Sequence, residues 1–189
     1  MKKLITIYML MASIFTTQAQ QNINEIINNC PTPTNDDIIG ICGSIYNKKP
    51  SREGSQFAFK FEDDLWEMAC IEPTREILNN PEALKIAIKK IQTMWMNNRN
   101  NFICNGFPLR DANITNFSIN SGFPTFLRSA IKVYKLDMNF KVTNQGTIMD
   151  YILEEIESYK SANMSTKVNE LEKIYNVLET AGTKHAKDL

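Results

Sequence analysis

The chain has 189 residues, 21 basic and 21 acidic side chains, and one histidine. That length suits one domain with a real core and would leave two cramped. The balanced charge, without a basic stripe, argues against a nucleic-acid partner. A lone histidine, His185 on a polar C-terminal tail, deprives hydrolases of their usual base and metal sites of their commonest ligand.

Residues 1–19 have the parts of a secretory signal. Lys2 and Lys3 form the basic start, Leu4 to Phe15 the apolar run, and Thr17 and Ala19 the small residues of a cleavage site. The mature chain is expected to start at Gln20. The apolar run is too short for a comfortable span, and no later run is long enough, so no membrane span is expected after signal removal. The expected location is periplasmic or secreted. Four cysteines follow, Cys30, Cys42, Cys70 and Cys104. An even count in an oxidising compartment suggests disulfides. Cys30 with Cys42 is the most economical pair, closing a short loop; Cys70 and Cys104 either pair or stay as buried thiols. No C-x-x-C spacing is present, which weakens zinc and thioredoxin readings.

In chain order, residues 20–56 read as an N-terminal arm and loop, and residues 57–189 as a single helical domain. Gln21 to Asn29 is a short polar helix or arm, broken at Cys30-Pro31-Thr32-Pro33. Asp36 to Tyr46 is apolar enough to pack, but Gly40 and Gly43 weaken a helix there. Asn47 to Gln56 reads as an exposed loop. Phe57, Phe59 and Phe61 alternate like a strand, yet the acids that follow favour a helix from about Phe59 to Ile71. Asn80-Pro81-Glu82 is a strong helix start. The helix it opens puts Leu84, Ala87, Ile88, Ile91, Met94 and Trp95 on one face and runs to about Asn98.

Phe102 to Pro108 is a turn segment, and Asn113 to Ile119 a short helical element. A helix over Thr125–Lys135 follows. Thr147 and Asp150 have capping-box spacing. They start a helix to about Lys160, with Met149, Ile152, Leu153 and Ile156 inward. The last helix, Ser165–Thr180, buries Val168, Leu171, Tyr175 and Leu178, with Gly182 at the left-handed cap.

Shifted by 34 residues, the chain meets itself. Asn105 falls on Asn139, Ile114 on Ile148 and Phe117 on Tyr151. Periods of this length belong to stacked repeats. Leu136-Asp137-Met138-Asn139 resembles the stretch ahead of an ankyrin finger, and Thr147-Ile148-Met149-Asp150-Tyr151 resembles the start of an ankyrin repeat's first helix. The likeness is clearest over residues 113–184. It departs from the family pattern at Ile148 and Asp150, which stand where proline and histidine are usual. The resemblance, to small secreted bacterial proteins with degenerate ankyrin-like repeats, implies an all-α fold of stacked helical hairpins. An irregular helical bundle is the alternative.

No nucleotide-binding glycine motif occurs, and no cofactor, metal site or catalytic residue is assigned. The adjacent acids Glu62, Asp63 and Asp64, and the pair Glu154 and Glu155, are explained as helix starts and solvated faces. They are also the one route to a carboxylate-dependent hydrolase of an envelope polymer. A third reading is a small-ligand pocket lined by Trp66, Trp95 or Met94. The leading expectation is an exported, non-enzymatic protein-binding module, such as a periplasmic immunity or envelope-associated protein. Its partner is another protein, and Lys141, Asn144 and Gln145 are the candidate contacts.

Overall fold

The computed structural model describes residues 30–51, 59–108, 112–142 and 146–189. The signal reading, and the contacts expected at Asn144 and Gln145, lie outside the described residues. The fold below is that of the compact unit Thr32–Leu189. It is all-α apart from one two-stranded ladder.

Helix α1 spans Asn35–Tyr46. Thr34 and Asp37 start it with a reciprocal capping box, in which the Asp37 carboxylate accepts from Thr34 N–H at 2.7 Å. The cap and the burial of Ile38, Ile41, Cys42 and Ile45 outweigh the helix-weakening glycines. The stretch read as an arm therefore contributes a core helix, and the domain starts near Thr32 rather than at residue 57.

Helix α2, Lys60–Met68, is shorter than expected, and Phe59 instead forms a single antiparallel bridge with Pro50. Ser44 donates to the buried Asp64 at 2.7 Å, joining α1 to α2. Asp64 is also ion-paired with Lys60, so it is no solvated helix-start acid. A short helix that the sequence reading missed, α3 at Arg75–Asn79, is capped by Thr74. Helix α4, Pro81–Asn98, begins where expected, with the Asn80 side chain accepting from Glu82 and Ala83 N–H.

Strands β1 (Ile103–Cys104) and β2 (Ala112–Asn113) pair antiparallel, with Ile103 opposite Asn113. Two helical hairpins follow. The first is α5 (Ile114–Asn120) with α6 (Thr125–Lys132), and the second is α7 (Ile148–Ser161) with α8 (Ser165–Thr180). Helix α5 packs on α7, and α6 on α8, so the hairpins stack. The 34-residue offset matches helix starts: Asn113 and Thr147 are both N-caps. The β1–β2 ladder precedes one helix and a Val142–Gly146 bridge the other. Helix α5 has 7 residues and α7 has 14, which places the extra length of the second unit.

The core centres on Trp95, Phe61, Phe102, Phe117 and Phe126, all fully buried. The Trp95 and Phe102 rings lie 5.4 Å apart, as do those of Phe61 and Phe126. Two inward assignments change. Leu153 is 40% exposed, and Ile148 and Tyr151 fill α7's inner face. On α8 the inward residue is Ile174 rather than Tyr175.

Cys42 is bonded to Cys104, with Cα atoms 5.6 Å apart, which overturns the Cys30–Cys42 pairing and, for Cys70 and Cys104, both the mutual pairing and the buried-thiol reading. Cys30 and Cys70 are disulfide-bonded as well, and no free cysteine remains among the described residues. The short loop lost because α1 and β1 already pack together, presenting Cys42 to Cys104 across 62 residues of sequence. Constraining a loop of that length in the unfolded chain stabilises by about 4 kcal/mol. The C42A/C104A double variant is expected to lose about that much in urea unfolding, with far-ultraviolet dichroism of the folded form unchanged.

Candidate binding site

The segment from Leu136 to Thr147 joins the two hairpins. Its first half alternates in burial, with Leu136, Met138, Phe140 and Val142 buried, Asp137 and Asn139 half-buried and Lys141 exposed. Helix α4 fixes this half from one side. Trp95 donates to the Asp137 carbonyl at 2.7 Å, Arg99 pairs with the Asp137 carboxylate at 2.7 Å, and the Arg99 guanidinium lies 5.0 Å from the Phe140 ring centre.

The C-terminal tail holds Asn139 and Thr147 from the other side. Asn139 accepts from Lys184 N–H at 2.8 Å and donates to the Gly182 carbonyl. Thr147 donates to the Lys184 carbonyl at 2.9 Å. Asp150 accepts from three further donors, Thr147 N–H, Ala186 N–H and His185 Nδ1, the last at 2.7 Å, and it lies 3.0 Å from the Thr147 hydroxyl, whose one hydrogen it shares with the Lys184 carbonyl. His185 Nε2 in turn meets the Tyr175 hydroxyl at 3.0 Å. His185 is therefore the pin of a clasp. The polar tail that carries it is anchored because α7 and α8 fold back and bring Asp150 and Tyr175 to His185.

Burial by itself would raise the Asp150 carboxyl. The hydrogen bonds from the Thr147 and Ala186 backbone, from His185 and from the Thr147 hydroxyl outweigh it and pull it down to about 2. Gly146 has φ +72°, and a Cβ there would sit 2.6 Å from the Asp150 carboxylate. Only glycine fits that turn while the clasp is closed.

Between the joint, the end of α6 and the end of α8 lies a cleft of about 630 Å³. Ile131, Leu136, Met138 and Val177 give it an apolar floor, and Lys132, Lys135, Asn139, Asn176, Thr180 and Thr183 a polar margin. Lys132 and Lys135 are exposed, and neither forms an ion pair among the described residues. The one acid among the described lining residues, Asp137, is already paired with Arg99. The cleft thus presents uncompensated positive charge beside an apolar surface.

The acids at the start of α2 lie elsewhere. Glu62 accepts from Ser129 at 2.9 Å, and Asp63 accepts from Ser51. Burial pushes the Glu62 carboxyl up, its bond with Ser129 opposes this, and the Asp63 charge adds to the rise. Both acids, with Trp66, line a second, separate cleft. Trp95 and Met94 are buried in the core instead and line neither cleft. On α7, Glu154 is exposed and Glu155 half-buried. Among the described residues no group of three or more His, Cys, Asp or Glu side chains could hold a metal ion. No helix there is long and apolar enough to cross a membrane. Comparison with known families, curated proteins and solved structures returns no match to the chain.

Sequence reasoning located the joint but missed Lys132, Lys135, Asn176 and Thr180. Their signal is faint: exposed polar residues in the last turns of two helices whose ends meet only in the folded chain.

Two consequences of the clasp are measurable. The Asp150 carboxyl is lower in the folded chain than its ordinary 3.8, so its contribution is present above pH 4 and is lost as pH falls toward 2. Because the site is partly solvated, about 1–2 kcal/mol is expected. Wild type should lose that increment relative to D150N between pH 4 and 2 in urea titrations. The G146A variant combines a left-handed backbone with a close contact, and should cost about 1–3 kcal/mol. Hydrogen exchange should show its faster opening at the Ala186 amide first.

Proposed function

We propose that this chain is an exported, non-enzymatic protein-binding module, and that its stacked hairpins hold an acidic, extended segment of a partner protein in the cleft beside the joint. The observation that carries this reading is the pairing of an apolar floor with two exposed, unpaired lysines, Lys132 and Lys135. An acidic segment would supply the missing counter-charge, and its apolar side chains would cover Ile131 and Val177. Anchoring of Asp137, Asn139 and Thr147 supports the reading too, because a surface already held in place loses less entropy on binding. A role as a periplasmic immunity protein, or as an envelope-associated protein, fits within this class.

An ankyrin-like ancestry is part of the same proposal. Its support is the recurrence of a turn with strand pairing, an N-cap and a helical hairpin at a 34-residue offset. Disulfide bonding of Cys42 and Cys104 supports an oxidising compartment, periplasmic or extracellular.

Two experiments test these readings. A partner captured from envelope extracts by the wild type should be lost with K132E/K135E, which keeps the fold because both side chains are exposed. Equal retention would sink the cleft assignment. If the role is immunity, the chain should protect cells only when exported. Equal protection by a version lacking residues 1–19 would remove that role.

A further inference from the structure

The second cleft is independent of the joint. It has a volume of about 370 Å³ and lies between α2, α3, α4 and the end of α6. Leu84 and Ile88 form one wall. Leu78 and Val133 stand at its edge, 48% and 52% exposed, an unusual placement for two large apolar side chains that share a cavity. Among the described lining residues none is basic.

Its polar groups are few and specific. Glu62 has Ser129 as its one hydrogen-bond partner among the described residues, and only one of its oxygens is engaged. No described buried side-chain oxygen lacks a partner, so the second oxygen is open to solvent. Tyr134 is 97% buried (3% exposed). Its hydroxyl accepts from Trp66 Nε1 at 3.0 Å, and its own hydrogen has no acceptor among the described residues. The buried phenol therefore has a donor left over at the cleft wall. Trp66 and Tyr134 meet edge to face, 6.5 Å between centres, and give the same wall two aromatic rings.

We propose that this cleft binds a small organic ammonium with an apolar body and an oxygen near the ammonium. The carboxylate of Glu62 takes the charge, the aromatic wall adds cation–π attraction, the Tyr134 hydroxyl donates to the oxygen, and Leu84 and Ile88 hold the apolar body. An anion is disfavoured because Glu62 and Asp63 both face the cavity. A neutral apolar molecule would leave the Tyr134 hydrogen and the Glu62 charge without partners. Burial pushes the Glu62 carboxyl up, and a bound cation would bring it back down.

Phenylalaninol is a suitable probe, with 3-phenylpropan-1-ol as the same body and oxygen without the amine. Titrated into the oxidised full chain, phenylalaninol should saturably change tryptophan fluorescence and shift amide resonances of α2 and residues 133–134. The amine-free alcohol should bind at least about tenfold more weakly, the value of one charged hydrogen bond. E62Q should remove that tenfold preference. V133K, an exposed position that leaves the core untouched, should weaken phenylalaninol similarly by placing a like charge at the mouth. The proposal is overturned if phenylalaninol gives no saturable change, if the two probes bind equally, or if V133K binds phenylalaninol as tightly as wild type.

Discussion

The Asp150 carboxylate is the contact on which the second half of the fold depends. It caps α7 through Thr147, it receives the tail through Ala186 N–H and His185, and it forbids a side chain at Gly146. One anion therefore sets a helix start, a turn and a chain terminus together. The three are coupled because they share acceptor lone pairs, and a change at any one releases donors at the others. The low carboxyl pKa is the electrostatic trace of that coupling.

The first half is held by different forces. There α1, α2 and β1 meet through apolar contact, the Cys42–Cys104 bond and the buried Ser44 and Asp64, the latter paired with the half-buried Lys60. A buried ion pair contributes little net stability, but losing either partner is costly. Asp64 thus specifies how α1 seats on α2 more than it strengthens the contact. Helix α4 links the halves. Trp95 packs on Phe102 from β1's side and donates to Asp137 in the joint, while Gln92 donates to the Tyr134 carbonyl.

What could be read from the sequence follows the range of the interactions. Local signals were legible: Asn80-Pro81 at the start of α4, the Thr147–Asp150 box, and the apolar spacing of α8. Two further local signals are present. Thr34-x-x-Asp37 has the same spacing as Thr147-x-x-Asp150 and marks α1, against the helix-weakening effect of Gly40 and Gly43. Leu136, Met138, Phe140 and Val142 alternate strictly, which marks a half-buried segment. Other features were not local at all. His185 meets Asp150 across 35 residues, and Cys42 meets Cys104 across 62. Loop-closure entropy favours the nearer cysteine in an unfolded chain. Packing of α1 on the β1 ladder decides the matter in the folded one.

The two clefts differ in sign and in stiffness, and both differences follow from which elements build them. The first is made from helix C-terminal ends, where unpaired carbonyls favour the lysines found there. Its rim is locked by the clasp, so its shape is set before anything binds. The second is made at the N-terminal turn of α2, where acids are favoured for the opposite reason. Its mouth is formed by Leu78 on a five-residue helix and by Val133 just past the end of α6. A helix that short gains little stability from its own hydrogen bonds and relies on its neighbours. The wall carrying Leu78 therefore depends on its neighbours for its position, while Trp66 and Tyr134, bonded to each other in the interior, keep the opposite wall in place.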